Sequence, residues 1–353
     1  MIVLLAIGGM SISAENKQSP PLKVGFLCVG PITDNGYNAA HNLGRLYLQS
    51  HLANVQTTIA DKVPENSDAE RVMEKMIAHG NRLIFATSFG YLEPAERVAK
   101  RHPDVIIMQA WRPSAIKNIG SYSTYEYEPL YIVGVVAGKM TKTNKIGFVC
   151  GHPISQILQN LNAFALGVRL VNPTATVHVV WTNSWWDPPT EAEAAKGLVD
   201  SGVDVVGSTG TSAMTVAKAA AQNHAMVIDT ETDLKRALPD NWLTGSHWNW
   251  GPMYCRIAKS VQDAAWKPEN YCLGLKDGAV ELSSFGNIVP NTLQTQARSL
   301  ADQIKNGKLI IFKAPLKDRE GKVRLPAGQV ADQKWLDSID FFVDGVVGAL
   351  AKK

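Results

Sequence analysis

Residues 23–29 read KVGFLCV and residues 145–150 read KIGFVC, so one pattern opens both halves of the chain. Alternate side chains of a strand point to opposite faces, and here both sets are mainly apolar. This predicts strands that are buried on both faces of a parallel sheet. A helical pattern follows each stretch, at 38–52 and at 156–171, so strand and helix alternate from the start of each half.

The alternation continues through both halves. Further strands are predicted at 55–61, 82–87, 105–109, 119–125, 176–181, 203–208 and 225–229, with helices between most of them. Two such rounds predict an α/β fold with two doubly wound parallel-sheet lobes. From residue 251 the pattern changes to helices at 251–266, 293–305 and 335–351 and short strands at 278–282 and 285–288. We interpret this part as crossings that complete both lobes and form a multi-strand hinge.

The predicted division assigns residues 1–20 to a leader and tail. It assigns 21–142 plus 252–285 to the first lobe and 143–251 plus 286–353 to the second. Residues 1–10 are apolar and small residues follow to Ala14, which predicts a signal peptide cleaved after Ala14. A buried first strand or an uncleaved tail is the alternative. No Cys stands at the cleavage site to carry a lipid, so we expect a periplasmic or otherwise secreted protein.

Charge and cysteine content narrow the function classes. The 353 residues carry 35 Lys and Arg against 32 Asp and Glu, without basic runs, and this gives no support to nucleic-acid binding. Cys28 and Cys150 lie in predicted core strands, where Cys acts as a small hydrophobe. Cys255 and Cys272 could pair in an oxidising compartment, but their spacing does not decide this. No spacing predicts a metal site, and no cofactor is expected.

Candidate ligand-binding residues lie in loops after strands, because open parallel sheets bind ligands beyond the carboxyl ends of their strands. Four of the nine Trp occupy two such loops, at 185, 186, 248 and 250. Aromatic faces sandwich flat rings, and neighbouring Asn, Asp and Glu can bind ring edges or hydroxyls. The loop residues taken as candidates are Asp34, Tyr37, Asn38, Phe89, Tyr91, Trp186, Glu231, Trp248 and Asn249, with His41 on the helix that follows.

In these loops the chain resembles the basic-membrane-protein (BMP, Med/PnrA-like) family of ABC transporter substrate-binding proteins. The resemblance is carried by Gly30-Pro31, Asp34-Asn35-Gly36-Tyr37-Asn38, Ala137-Gly138-Lys139-Met140, Asn162-Ala163-Phe164, Trp185-Trp186-Asp187-Pro188 and Gly202-Val203-Asp204-Val205-Val206. It implies a type I periplasmic-binding-protein fold, a purine-type ligand and a permease partner. The family's members are usually monomers.

The resemblance also implies roles for single residues. Tyr37 and Trp186 match the aromatics that stack on the two faces of the base, and Asn38 matches an Asn that binds its edge. Glu231 stands where nucleoside-binding members hold ribose with an Asp. Trp248 stands about where they have a ribose-contacting Lys, which favours a free purine such as adenine over a nucleoside.

Two other function classes are weighed against capture for transport. A ligand sensor that feeds a receptor kinase would use the same binding site. A purine-processing enzyme would need a clustered base or metal, and no GxSxG, HExxH or Walker-type loop occurs. The small-residue loop 207–212 could hold an anion at a helix N-terminus, but a plain strand-to-helix turn is the preferred interpretation. Asp34 and Asp187 are expected to cap the helices that follow them.

Overall fold

A computed structural model describes residues 20–350, so the predicted signal peptide lies outside the described residues. The strands, in chain order, are β1 (Leu22–Leu27), β2 (Val55–Ala60), β3 (Leu83–Ala86), β4 (Ile106–Ala110), β5 (Ile119–Thr124), β6 (Lys145–Cys150), β7 (Thr176–Trp181), β8 (Val205–Thr209), β9 (Met226–Asp229), β10 (Trp242–Trp248), β11 (Asn270–Leu273), β12 (Val280–Leu282), β13 (Leu316–Lys317), β14 (Val323–Leu325) and β15 (Val346–Val347). The α-helices are α1 (Tyr37–His51), α2 (Ser67–Ala78), α3 (Leu92–Arg101), α4 (Tyr127–Met140), α5 (Ser155–Val171), α6 (Pro188–Asp200), α7 (Ala213–Gln222), α8 (Trp250–Gln262), α9 (Asn291–Lys305) and α10 (Gln333–Asp337).

Strand β1 shows why the opening pattern forms a central strand. Phe26 packs on one face of the sheet and stacks on Phe85 of β3, with ring centroids 4.8 Å apart. Leu27 points to the other face and joins a second core cluster with Met73 of α2. Both faces are covered by helices, so an apolar residue is stable at every position of such a strand.

Both sheets share one strand order. The first sheet runs β11-β5-β4-β3-β1-β2 and is parallel throughout, and the second runs β12-β10-β9-β8-β6-β7-β15 with only β12 antiparallel. The order therefore reverses between β1 and β3 in one sheet and between β6 and β8 in the other. The loops after these strands diverge and leave a crevice, which is where doubly wound sheets bind ligands. The predicted fold class is confirmed.

Within residues 20–350 the chain passes between the lobes three times, at 125–126, at 249 and at 274–279. Hydrogen bonds tie these crossings to one another. The N–H of Asn249 donates to the carbonyl of Ala279 at 2.9 Å, and the N–H of Leu275 donates to Glu128 Oε2 at 2.7 Å. The hinge is therefore one connected unit, which lets the lobes move as bodies about it.

The crossings fall earlier than the predicted boundaries at 142 and 285. Helix α4 packs against α5, α9 and β10, and β12 pairs with β10, so both elements belong with the second sheet. A helical pattern after a strand predicts that a helix comes next, but it does not tell which sheet that helix covers.

Corrections are largest near the C-terminus. The helix predicted at 335–351 is wrong: α10 ends at Asp337, and residues 338–350 are mostly turn and loop. The buried Asn162 of α5 explains this, because its amide donates to the carbonyl of Phe341 and accepts from the N–H of Val343, each at 2.9 Å. The strand predicted at 285–288 is also wrong, and strands β10, β11 and the β13–β14 hairpin were not predicted.

Candidate ligand-binding site

A cavity lies where both sheets reverse their strand order. Loops of both lobes and the first crossing line it: Val29, Tyr37, Asn38, Ser88, Phe89, Trp111, Glu126, Ile154, Gln156, Ile157, Asn160, Trp185, Thr209, Gly210, Glu231 and Trp248. Its mixture of aromatic walls with a few polar groups is typical of small-molecule sites. Neither Lys nor Arg is among these lining residues.

Tyr37 provides the first lobe's main ring. Its hydroxyl donates to the carbonyl of Thr87 at 2.5 Å and accepts from the indole Nε1 of Trp111 at 2.7 Å. The ring packs edge-to-face with Trp248, with centroids 5.2 Å apart. Burial raises the pKa of Tyr37 well above its usual value. The ring is thus held at both ends before any ligand arrives.

Asp34 organises the turn that presents Tyr37 and Asn38. Its carboxylate accepts from the backbone N–H groups of Gly36, Asn38 and Ala39 at 2.8–2.9 Å and from the side chain of Asn38 at 2.7 Å. The carbonyl oxygen of that side chain accepts from the N–H of Gly30 at 3.1 Å. Asp34 is therefore placed as a capping residue behind the wall, and Asn38 lines the cavity with both ends of its amide already engaged.

The second lobe offers Trp185 to the cavity rather than Trp186. Trp185 lines both the cavity and an outer groove beside Gly30 and Lys62, whereas Trp186 lines the groove alone. Of the two indoles, Trp185 is therefore the one that reaches the interior. The structure therefore places the neighbour of the expected residue opposite the first lobe.

Two glycines make room for Trp185. A Cβ at Gly151 or Gly210 would lie 2.9 Å from the indole, and Gly210 also has a left-handed φ of 64°. The indole packs edge-on against His152, with centroids 4.5 Å apart. The ring is fixed in place by its surroundings.

Three buried carboxyl groups gather at the cavity. Glu126 Oε2 accepts from Asn160 Nδ2 at 2.8 Å, and Oε1 accepts from Ser246 Oγ at 3.3 Å. Glu231 lines the cavity with a φ of 78°, and its Oε1 accepts from the N–H of Gly210 at 3.2 Å. Asp229 lies behind the wall and accepts from a serine hydroxyl at 2.7 Å.

These carboxyl groups hold protons more tightly than ordinary carboxyls. Burial raises the pKa of Glu126 to about 7, although the hydrogen bonds from Asn160 and Ser246 oppose the shift. Burial also raises the pKa of Glu231 and of Asp229 well above the usual range, and the other carboxyls add to the shift. The cavity therefore resists additional negative charge.

Two buried polar atoms in the wall have no acceptor or donor in hydrogen-bonding geometry: Trp248 Nε1 and Thr209 Oγ1. The Trp248 indole lies near enough to Glu126 to lower that carboxyl's pKa, but it does not reach hydrogen-bonding geometry. Buried polar groups in native proteins are nearly always paired. An indole N–H and a hydroxyl of the wall therefore have no hydrogen-bond partner among the described residues.

The remaining predicted residues are divided between wall and core. Phe89 lines the cavity, with the guanidinium of Arg112 4.9 Å from its ring centre. Tyr91 is fully buried in the first lobe and donates to the carbonyl of Val63 at 2.6 Å. His41 is also fully buried, behind Tyr37, and Asn249 precedes α8 without lining the cavity.

His41 is a core histidine. Its Nδ1 lies 2.6 Å from the hydroxyl of Tyr254, and its ring stacks on Trp250 at 5.1 Å. Burial lowers the pKa of His41 to about 3. The imidazole is therefore neutral and supports the wall from behind.

Sequence reasoning missed several polar or aromatic lining residues, namely Ser88, Trp111, Glu126, Gln156, Asn160, Trp185 and Thr209. Trp111 directly follows β4 and Glu126 closely follows β5, so the rule that drew attention to other loops applies to both. Gln156 and Asn160 lie on helix α5, and no sequence pattern distinguishes them from ordinary helical polar residues.

The lobes are closed on the cavity. Thr232 Oγ1 of the second lobe donates to the carbonyl of Asn35 in the first at 2.5 Å. A Cβ on Gly36 would lie 3.1 Å from Ala213 and 3.4 Å from Glu231, both on the other lobe. Two doubly wound lobes that close over one enclosed site define a two-lobed solute-binding protein.

The chain belongs to the Bmp family, described as ABC transporter substrate-binding protein PnrA-like, whose family model matches residues 22–314. A purine-binding protein of Brucella abortus (strain 2308) is 36% identical over 346 residues, which cover 98% of each chain. A Haloferax volcanii protein provisionally named as an ABC transporter glucose-binding protein is 30% identical over 92% of this chain and 80% of its own. The predicted family is confirmed.

Two further comparisons concern a more distant relative and the fold. An ABC transporter nucleoside-binding protein of Lactococcus lactis subsp. cremoris is 29% identical over 52% of this chain and 50% of its own. The crystal structure of an ABC transporter solute-binding protein from Aeropyrum pernix K1 superposes with a TM-score of 0.70 at 20% identity, covering 82% of this chain and 93% of that one.

Residues 20–350 contain no helix that is long and apolar enough to cross a membrane. No group of three or more His, Cys, Asp and Glu within this range is arranged to hold a metal ion. Cys255 and Cys272 are free thiols here, so the pairing that the sequence left open is not formed.

Proposed function

We propose that this chain captures a free purine base, adenine-like, between its lobes outside the cytoplasm and delivers it to an ABC transporter permease. It acts without a cofactor and does not turn the ligand over. The observation that carries the proposal is the closed cavity between Tyr37 and Trp185, which come from opposite lobes. Two held aromatic rings suit a flat heteroaromatic ligand, because stacking needs a π-face and little else.

The polar groups of the wall support a base rather than an anion. Glu126 and Glu231 accept hydrogen bonds, whereas Trp248 Nε1 and Thr209 Oγ1 are free to donate. A purine carries N–H donors and ring-nitrogen acceptors on one flat frame. A phosphate or carboxylate ligand would meet buried carboxyls and no cation among the lining residues.

A nucleoside is the second candidate, because Glu231 lines the cavity where the family resemblance places a ribose-binding carboxylate. The name of the Lactococcus lactis relative favours it as well. Trp248 weighs against it, since its indole is part of the same wall and takes space that a sugar needs. A ligand sensor that feeds a signalling receptor would share this cavity and differ only in its partner.

The test is calorimetric titration of protein that has been unfolded and refolded to remove carried-over ligand. Adenine, guanine, hypoxanthine, adenosine, inosine and glucose form the panel, with melting temperature as a second readout. We expect adenine to bind and adenosine to bind at least about tenfold more weakly, a difference of about 1.4 kcal/mol. Tighter binding of adenosine would favour the nucleoside, and binding of glucose alone would overturn the purine proposal.

Absence of turnover is tested separately. Protein incubated with adenosine is followed by chromatography for released base. Release of adenine at an enzymatic rate would contradict a pure binding function, and an unchanged nucleoside supports it.

A further inference from the structure

We propose that Glu126 is the specificity-determining residue that accepts a hydrogen bond from an exocyclic amine of the ligand, so that aminopurines bind more tightly than oxopurines. This rests on the proposed function and deepens it. The family resemblance drew attention to Tyr37, Asn38 and Glu231, but it did not include Glu126.

The position of Glu126 makes it a fixed acceptor. It lies on the first crossing between the lobes, immediately before α4, and only 5% of its surface is exposed. Asn160 of α5 and Ser246 of β10 both donate to its carboxyl group. A side chain held from two elements cannot move away from an unsuitable ligand. A ligand atom that cannot donate to Glu126 therefore weakens binding.

The neighbouring amide adds a second acceptor. Because Asn160 donates its Nδ2 to Glu126, its Oδ1 stays available as an acceptor, and both residues line the cavity. Two adjacent acceptors match the two hydrogens of one NH₂ group. An oxo group at the same place would set a lone pair against the carboxylate and leave a buried acceptor unpaired.

Charge supports the same orientation. Glu231, Asp229 and Asp34 are the other buried carboxyls near this region, and the wall includes no Lys or Arg among the lining residues. Because none of these lining residues is a cation that could pair with Glu126, N–H groups of the ligand are favourable partners for its carboxylate.

The test is a cycle that changes protein and ligand separately. Wild type and Glu126→Gln are titrated at pH 8 with adenine, hypoxanthine and unsubstituted purine, because burial raises the pKa of Glu126 to about 7 and only the ionised carboxyl is purely an acceptor. Glutamine keeps the shape but can donate as well as accept, so it tolerates an oxo group. We expect wild type to prefer adenine over both other bases by about tenfold or more, and Glu126→Gln to lose most of that preference.

Glu128→Gln is the matched control. Glu128 lies two residues further on, in the first turn of α4, where its carboxylate accepts from the N–H of Leu275 and does not line the cavity. This variant should keep the wild-type preference. Should Glu126→Gln fail to fold, the comparison of adenine with purine in wild type still tests the role of the amine.

The outcomes separate the two proposals. If wild type binds none of the bases, the proposed function fails. If wild type binds adenine but binds hypoxanthine equally well, or if Glu126→Gln keeps the full preference, the assignment of Glu126 is overturned and purine capture stands.

Discussion

Replacing Trp185 by alanine tests the aromatic sandwich most directly. Stacking of one base on an aromatic ring contributes about 1–3 kcal/mol, which raises the dissociation constant about 5- to 150-fold when it is lost. His152, Gly151 and Gly210 already hold the Trp185 indole in place, so little side-chain entropy is lost on binding. We therefore expect Trp185→Ala to weaken adenine binding by an amount in the upper part of that range.

Trp186→Ala is the control, because it removes the same side chain one position along the same loop. Trp186 lines the outer groove, and its loss should change affinity by less than about 0.5 kcal/mol. Calorimetric titration measures both variants, and urea unfolding checks that each is folded. A large loss for Trp186→Ala with unchanged binding for Trp185→Ala would refute the structural placement and restore the residue that the family resemblance implies.

Two further predictions concern closure and stability. Thr232→Val removes the hydrogen bond to Asn35 across the lobes, so the free energy of adenine binding should weaken by about 0.5–1.5 kcal/mol. The control Thr190→Val removes a hydrogen bond within one lobe and should leave the affinity unchanged. Equal affinities of the two variants by calorimetry would show that the Thr232–Asn35 bond does not stabilise the closed form. Burial lowers the pKa of His41 from 6.5 to about 3. Between these two pH values the imidazole of His41 binds a proton in the unfolded chain but not in the folded protein. As the pH falls from 6.5 to about 3, the free energy of unfolding of the wild type should therefore decrease by about 1.4 kcal/mol per pH unit relative to that of His41→Gln. Urea unfolding at several pH values measures this, and the same pH dependence in both proteins would contradict it.

The two strand-helix rounds were predictable because their signal is local. After Lys23 in β1 and Lys145 in β6, the residues on both faces are apolar or Gly, a pattern typical of a strand that is covered on both sides. The strand-end rule also points to the loops at the carboxyl ends of the strands, and Tyr37, Asn38, Phe89, Glu231 and Trp248, which it indicates, all line one cavity.

The parts that could not be predicted depend on contacts far apart in the chain. Asn162 determines the backbone path near Phe341 through hydrogen bonds that span 179 residues, and no local pattern records this. Which of Trp185 and Trp186 reaches the cavity depends on the backbone path of their loop. The position of Glu126 could not be predicted because it lies on a crossing, where the chain leaves the first lobe and α4 packs on the second.

The charge balance of the cavity limits its ligand more than its shape does. Glu126 and Glu231 line it, and at neutral pH such buried carboxyls must either bind protons or receive hydrogen bonds. Under the proposed function, a phosphate would place added negative charge beside these carboxyls at a high desolvation cost, so we expect nucleotides to bind more weakly than a neutral base. A neutral base supplies N–H donors without charge. Trp248 stands about where the family resemblance implies a lysine, so the site has an indole N–H without a partner in place of a cation. Under the proposed function, this site suits a ligand that both donates and accepts hydrogen bonds.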